Sequence, residues 1–251
     1  MIGAMKRRRI LLLGFMLLMC LAGSEAQTVT VRGRVEVEKE RKAADKNARP
    51  RAIPKTVVWL TAAPGSDSRL EPPAPIEGGA KARLSQRNKS FEPHLLVVPA
   101  GSLVEFPNHD PFFHNVFSLF EGKRFDLGLY EAGSSRTVRF DRPGISYIFC
   151  NIHPEMSAVV ITMATPLYAA ASADGQVSIP NVPYGRYTLH VWSEGMAPEN
   201  DKTSTREITI GENSASLGVL RVPEANGQRI AHKNMYGRDY DQPTPDSSIY
   251  H

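Results

Sequence analysis

Hydrophobic and polar positions alternate along much of this chain in short segments. Val29–Val37 reads V-T-V-R-G-R-V-E-V, with an apolar residue at every second position on either side of Gly33. Thr56–Thr61 is a second run, rich in β-branched residues. Alternation of this kind, with turn residues between the segments, is typical of β-strands, and no heptad or long amphipathic helical pattern occurs. The pattern therefore predicts an all-β protein.

Further strands are predicted in two groups along the rest of the chain. The first group lies at Lys89–Phe91, His94–Val98, Ser102–Phe106, Val116–Leu119, Ser135–Phe140, Ser146–Cys150 and Ser157–Met163. The second group lies at Leu167–Ala171, Gly175–Ile179, Gly185–Trp192, Arg206–Ile210 and Ser216–Val222. Short strands with regular turn signals indicate sandwiches or barrels.

Changes in composition mark the boundaries of these groups of strands. Residues 64–79 are rich in Pro, Gly and Ser and predict a linker. The first group of strands then defines a domain over residues 80–163, and the second group defines another over residues 166–222. Residues 28–63 contribute two strands of their own. The polar residues 223–251 have no period and predict a flexible tail.

The N-terminus has the pattern of an export signal. A basic stretch at Lys6–Arg9 precedes the apolar run Ile10–Leu21, and Ser24-Glu25-Ala26 offers small residues for cleavage near Ala26. Residues 1–26 are therefore predicted to be a signal peptide, on the general or the twin-arginine route, and the mature protein to be periplasmic or extracellular. A less favoured alternative is that Cys20 carries a lipid that anchors the protein.

Cleavage changes the charge and cysteine inventory. The formal net charge of +4 falls to about +1, because the signal carries four basic residues and one acidic residue, so the basic balance indicates no nucleic-acid partner. No later segment is long and apolar enough to span a membrane. Of two cysteines, Cys150 alone remains, which excludes a disulfide within the mature chain. A lone cysteine in an exported protein is a buried spectator, a reactive thiol or a metal ligand.

The neighbours of Cys150 favour a metal ligand. Tyr147–Val160 reads Y-I-F-C-N-I-H-P-E-M-S-A-V-V and spaces Cys150, His153 and Met156 three residues apart on a loop between apolar strands. One thiolate, two imidazoles and a weak thioether form the ligand set of electron-transfer copper. The second imidazole is expected from His114, at the start of a strand beside a cluster of aromatic residues.

These segments resemble the cupredoxins, in particular amicyanin, with plastocyanin and pseudoazurin as relatives. The resemblance covers roughly residues 80–163 and rests on His114-Asn115-Val116, Tyr147 and the Cys-x₂-His-x₂-Met loop, whose length is that of amicyanin. It implies a Greek-key β-sandwich or barrel that binds one type 1 copper through His114, Cys150 and His153, with Met156 as the axial ligand.

The resemblance also assigns roles around the ligands. Asn115 matches the residue whose backbone steadies the thiolate in that family. Glu155, just before the axial ligand, departs from amicyanin, and a carboxylate there is expected to lower the reduction potential. His109 is the rival of His114 but lacks the following Asn-Val. His94 and His190 are expected to be structural.

Other chemistries fit the residues less well. Structural zinc usually has more cysteine ligands, and a thiol protease needs a basic histidine and an oxyanion hole. A multicopper oxidase needs His-x-His pairs, and a binuclear copper site needs a second loop cysteine; the sequence has neither. These comparisons predict an electron-transfer protein and not an enzyme.

A second resemblance concerns the later strands. Ala173–Val191 has a D-G turn, a V-P-Y-G turn and then Y-T-L-H-V, and is similar to the carboxypeptidase regulatory-like (transthyretin-like) β-sandwich. The first strands of that family match Gly33-Arg34-Val35 and Val57–Leu60, upstream of the cupredoxin-like part. We therefore expect one sandwich, built from about residues 28–63 and 166–222, with the cupredoxin inserted into it. The alternative is that residues 28–63 decorate the cupredoxin. The expected role of this module is binding, spacing or docking.

The expected function is one-electron transfer outside the cytoplasm. A redox partner protein is expected to dock transiently near His153, with Phe112 and Phe113 either on an apolar docking rim or in the core. Two alternatives stay open: a copper-delivery or storage protein, and a cell-surface binding or structural β-sandwich protein.

Overall fold

The computed structural model describes residues 27–38, 52–67, 70–79, 82–119, 122–194, 196, 204–224, 234–236 and 238–239. These residues contain sixteen strands and no α-helix, so the all-β prediction is confirmed. The strands are β1 (Thr28–Val37), β2 (Thr56–Ala62), β3 (Ser85–Arg87), β4 (Ser90–Glu92), β5 (Leu95–Pro99), β6 (Ser102–Pro107), β7 (His114–Ser118), β8 (Phe125–Tyr130), β9 (Ser135–Phe140), β10 (Gly144–Phe149), β11 (Ser157–Met163), β12 (Tyr168–Ala170), β13 (Gln176–Pro183), β14 (Gly185–Ser193), β15 (Ser204–Ile210) and β16 (Ser216–Val222).

The predicted signal peptide, with Cys20, lies outside the described residues. Among the residues that are described, none belongs to a helix long and apolar enough to cross a membrane.

The middle of the chain forms a β-sandwich, named the cupredoxin-like sandwich after the resemblance of its sequence. One sheet has the order β5-β11-β10-β7-β8, and the β6–β9 pair and the β3–β4 hairpin complete the sandwich. Buried side chains of both layers, such as Phe106, Phe140, Ile148 and Val160, form one apolar cluster. Packing of apolar faces on each other is what makes a two-layer β structure stable.

The first two strands join the last strands of the chain, not those that follow them directly. β1 lies between β13 and β16 in a three-stranded sheet, and β2 lies between β12 and β14 in a four-stranded sheet that ends with β15. Val31, Leu60, Ile179 and Leu189 belong to the apolar cluster between these sheets. Strands from both ends of the sequence therefore build this second sandwich around one core.

A third apolar cluster joins the two sandwiches. Phe149 and Ile161, of β10 and β11, pack here with Val57 of β2 and Trp192 of β14. The neighbouring residues of the same strands face the other way, as Ile148 does toward the cupredoxin-like core. Strands buried on both faces read as continuous apolar runs, which explains the continuous apolar run at residues 158–161.

Two strands were missed by the sequence analysis. β3 has only three residues, and β8 is an edge strand that contains Gly128 at φ +66°. Part of the predicted linker lies along β6, since the amide of Leu103 donates to the carbonyl oxygen of Ile76 at 2.8 Å and Glu77 forms a bridge with Leu103.

Candidate metal centre

The β10–β11 hairpin builds the loop that holds three of the predicted ligands. The two strands are antiparallel and pair Phe149 with Ser157. Beyond that pair, the amide of Cys150 donates to the carbonyl oxygen of Met156 at 3.3 Å, and the amide of Met156 donates to that of His153 at 2.9 Å. The hairpin therefore places Cys150 and Met156 opposite each other at the two ends of a tight loop.

The fourth predicted ligand comes from a neighbouring strand. β7 begins at His114 and pairs with β10 through Phe117 and Phe149. This pairing brings a residue that is 36 positions upstream of Cys150 to the mouth of the loop. The sequence analysis placed His114 at the start of a strand, and the structure has it there.

Three donor atoms converge at this point. The Sγ atom of Cys150 lies 3.7 Å from Nδ1 of His114 and 3.7 Å from Nδ1 of His153. All three atoms lie within 4.8 Å of one another. Cys150 and His114 are inaccessible to solvent and His153 is partly buried. Met156 is also buried and belongs to the same apolar cluster as Cys150.

The spacing of the donors fits a shared metal ion. A metal–nitrogen bond of about 2.0 Å and a metal–sulfur bond of about 2.3 Å separate the two ligand atoms by about 3.5 Å at a tetrahedral angle and about 3.7 Å at a trigonal one. The observed 3.7 Å separations match the trigonal value. Trigonal His₂Cys coordination with a weak axial methionine is characteristic of blue copper.

The sulfur of Cys150 is held by backbone amides. The amides of Asn115, Ile152 and His153 donate to it and oppose the effect of burial, which is the largest influence and raises the pKa of the thiol. The nearby Glu155 charge raises this pKa as well. A bound metal replaces the thiol proton and satisfies the buried sulfur, so the site favours the thiolate only when a cation is present. The resemblance assigns this contact between a backbone amide and the thiolate to Asn115.

Asp110 is a residue of the candidate site that the sequence analysis did not identify. Its Oδ2 atom lies 2.8 Å from Nε2 of His114. Burial favours a raised pKa for this carboxyl, but the amides of Lys89 and Asn88 and the His114 imidazole together hold its pKa below the usual range. Because an ionised carboxylate only accepts hydrogen bonds, Nε2 must carry the imidazole proton. In the neutral imidazole, Nδ1 of His114 then presents its lone pair toward Cys150.

A sequence signal for Asp110 exists. It lies four residues before His114 in the same aromatic segment. Metal-binding histidines usually donate their second N–H to a carboxylate or a carbonyl, so a nearby acidic residue is the expected partner.

His153 lies at the more open side of the cluster. Burial is the main reason that its pKa is lowered, His114 acts in the same direction, and Glu155 opposes both. The imidazole is therefore neutral near pH 7 and its nitrogen is available for a metal. The Phe112 ring lies 5.6 Å from that of His153 and 5.2 Å from that of His114, while the Phe113 side chain is 56% exposed.

The other histidines that the structure describes lie elsewhere. The amide of His109 donates to the carbonyl oxygen of Gln86, and His109 is not part of the donor group. His94 pairs with Glu194, and His190 stacks on Trp59. Across the described residues, His114, Cys150 and His153 form the one group of at least three His, Cys, Asp or Glu side chains close enough to share an ion.

Together, the strands and the donor group define an all-β protein with a buried His–Cys–His centre. Several solved structures similar to this chain are copper proteins. A Cu-containing nitrite reductase (NirK) from Thermus scotoductus SA-01 is 24% identical over 36% of this chain and 23% of its own, with a TM-score of 0.32. A purple cupredoxin from Nitrosopumilus maritimus is 22% identical over 33% of this chain and 99% of its own, with a TM-score of 0.31.

A third similar structure is a Cu(I) form of an amicyanin variant. It is 20% identical over 42% of this chain and 99% of its own, with a TM-score of 0.32. The matched part of this chain spans less than a quarter of the nitrite reductase. No protein-family model matches the chain, and no curated protein matches it.

Proposed function

We propose that this protein is an exported type 1 copper protein that carries one electron at a time between redox partners. His114, Cys150 and His153 bind the metal, and Met156 is the axial ligand. The observation that carries the proposal is the pair of 3.7 Å separations between the Cys150 sulfur and the two Nδ1 atoms, in a buried setting.

The donor set favours copper over zinc as the resident metal. Structural zinc sites usually have four strong ligands drawn from cysteine and histidine. This site offers one thiolate and two imidazoles, with a buried methionine across the loop from the cysteine. A single soft thiolate with a weak thioether suits both Cu(I) and Cu(II), so copper supplies a one-electron couple here.

The residues around the donors keep them in place. Asp110 fixes the ring of His114, three amides point at the sulfur, and the hairpin holds the ends of the loop. Ligands that are held this firmly change little when the charge of a bound metal changes. A preorganised site is what an electron carrier needs, and it is less suited to a delivery protein, which must release its metal.

His153 is the proposed electron port. It is the most accessible of the three donors, and the residues that directly precede the two histidine donors, Phe113 and Ile152, are both exposed. A redox partner that docks there would approach the metal through the imidazole ring. Encounters of this kind use small surface patches.

The domain division is part of the proposal. The pairing of β1 with β13 and β16, and of β2 with β12 and β14, supports one split sandwich, with the cupredoxin-like part inserted between residues 63 and 166. We propose that this sandwich is transthyretin-like and serves as a docking or spacing module. The signal peptide at residues 1–26 would deliver the protein to the periplasm or the cell exterior.

A redox cycle in the presence of a copper chelator tests the function. An electron carrier loaded with one copper should be reduced and reoxidised repeatedly while it retains the metal. A delivery protein should lose Cu(I) to the chelator after the first reduction, and that loss would contradict the proposal. Asp141→Asn, a variant at an exposed residue that pairs with Lys123 and with none of the ligands, serves as the matched control.

A further inference from the structure

The C-terminal residues that the structure describes form a compact turn. We call Asn234–Tyr236 together with Arg238 and Asp239 the C-terminal turn. The Oδ1 atom of Asn234 accepts hydrogen bonds from the amides of Tyr236 at 3.0 Å and Arg238 at 3.1 Å. The amide of Asn234 donates to the carbonyl oxygen of Arg238 at 2.8 Å. One side chain therefore organises the whole turn.

The turn is attached to the proposed copper loop. The amide of Met235 donates to Oδ1 of Asn151 at 2.9 Å, across 84 residues of sequence. The Met235 side chain packs on the third apolar cluster, which contains Phe149 and Phe117. A hydrogen bond and an apolar anchor at the same residue fix the position of the turn against the loop.

Asn151 in turn links the C-terminal turn to the sulfur. It follows Cys150 directly, and its amide donates to Oδ1 of Asn115 at 3.3 Å. The amide of Asn115 donates to the sulfur of Cys150, and its side-chain nitrogen donates to Asp126 at 2.7 Å. A continuous series of contacts therefore runs from Met235 through Asn151 and Asn115 to Cys150.

The outer side of the loop faces solvent. Ile152, Pro154 and Glu155 are exposed. Exposed loops with few buried contacts open locally at low free-energy cost. The contact at Asn151 is therefore well placed to decide how ordered the loop is before any metal binds.

We propose that the C-terminal turn is a positioning element of the metal site, which holds Asn151 and thereby orders the Cys150–Met156 loop. The ordering of the loop stands without a metal, while its consequence for a copper centre rests on the proposed function. A loop already in its bound conformation binds a ligand with less ordering cost, and the turn keeps the donors in place in the metal-free protein.

Amide hydrogen exchange of the metal-free protein tests the proposal. In Asn234→Ala the turn loses two hydrogen bonds and releases Met235. The amides of Asn151 and Met156 should then exchange roughly fivefold faster, which corresponds to the loss of one hydrogen bond. Asn234→Asp keeps the acceptor oxygen and should restore most of the protection. Tyr236→Ala, at a side chain that is 74% exposed, is the control and should exchange like the wild type.

A second variant and a second measurement distinguish general destabilisation by Asn234→Ala, failure of the positioning proposal and failure of the proposed function. If Asn234→Ala also speeds amide exchange in the core strand β11, that variant is destabilised as a whole. The exchange measurement is then repeated with Met235→Ala, which removes the apolar anchor of the turn. With copper bound, both variants should shift the reduction potential, whereas Tyr236→Ala should not. Unchanged loop exchange in both variants overturns the proposal. Faster loop exchange in a protein that binds no copper would leave the positioning role standing and contradict the proposed function instead.

Discussion

Nε2 of His114 lies 2.8 Å from Oδ2 of Asp110, and the side chains are 0% and 5% exposed. Burial of both groups makes the contact stronger than a surface pair, because little water competes for it. Of the two neutral tautomers, it selects the one with the proton on Nε2 and the lone pair on Nδ1, which faces the sulfur of Cys150. The carboxylate therefore prepares the upstream histidine for a metal before any metal arrives.

Replacement of Asp110 should weaken metal binding without removing a ligand. In Asp110→Asn the side chain no longer carries the charge that holds the His114 proton on Nε2, so the tautomer and the ring orientation are less fixed. Loss of such a partner typically lowers metal affinity by roughly 10- to 100-fold. A competition titration with a chelator of known affinity measures the change.

Asp141→Asn is the matched control for this substitution. Asp141 is also paired, with the amine of Lys123 at 2.8 Å, but it lies on the surface. This variant should bind metal with wild-type affinity. Equal affinities for Asp110→Asn and the wild type would show that the carboxylate does not prepare the site.

The contact between the two sandwiches should contribute much of the stability. Trp192 is buried, packs in the third apolar cluster and donates from Nε1 to the hydroxyl of Tyr147 at 3.5 Å. Trp192→Ala removes a large side chain from this interface and should lower the free energy of unfolding by about 3–5 kcal/mol. Denaturant unfolding measures it, with Val219→Ala, at a residue that is 42% exposed, as the control with a change within about 0.5 kcal/mol.

The sequence predicted most strands because their apolar residues follow a clear period. The strands at Ser135–Phe140, Ser157–Met163 and Ser216–Val222 have the predicted bounds. β8 was not predicted because it contains Gly128 and because most of its side chains are accessible at the sheet edge. Only Tyr130 of this strand is fully buried, although Phe125 and Leu127 also pack on the cupredoxin-like core.

The members of the donor group could also be picked out from the sequence, since spacing and residue type carry that information. The position of His114 beside the loop depends on the pairing of β7 with β10, which only the resemblance indicated. Asp110 and the C-terminal turn were not found, because both act through contacts between segments that no short motif encodes. The burial of Trp192 against the cupredoxin-like sheet likewise depends on how the two sandwiches pack.

The pair of His94 and Glu194 should make stability depend on pH. His94 Nε2 lies 2.8 Å from Oε1 of Glu194. The hydrogen bond from this carboxylate raises the pKa of His94 above its ordinary 6.5, although burial and Lys55 oppose it, and the same bond lowers the pKa of Glu194 below its ordinary 4.5.

The direction in which stability changes with pH follows from these two pKa shifts. The contribution of His94 is complete below pH 6.5 and is lost as the pH rises through the raised pKa of the folded state. The contribution of Glu194 is complete above pH 4.5 and is lost as the pH falls through its lowered pKa. Stability relative to Glu194→Gln should therefore be greatest between about pH 4.5 and 6.5 and decline above that range. A difference that does not vary between pH 5 and 9 would exclude this coupling.

Two glycines test whether β1 belongs to the second sandwich. Gly175 has φ +82°, and a Cβ atom there would collide with the carbonyl oxygen of Val35 in β1. Gly133 has φ +75° but open space around it. Gly133→Ala should cost about 1–2 kcal/mol from the left-handed backbone alone, and Gly175→Ala clearly more. Equal losses in thermal unfolding would mean that β1 does not pack on this turn.

The most direct test of the site is the colour of the protein with Cu(II). Thiolate coordination to Cu(II) gives intense charge-transfer absorption in the visible range, so the wild type should develop a strong band that saturates at one copper per chain. The band should disappear in Cys150→Ser and persist in Asp141→Asn. A protein that stays colourless with Cu(II), or a band that survives in Cys150→Ser, would contradict a copper centre built on Cys150, His114 and His153.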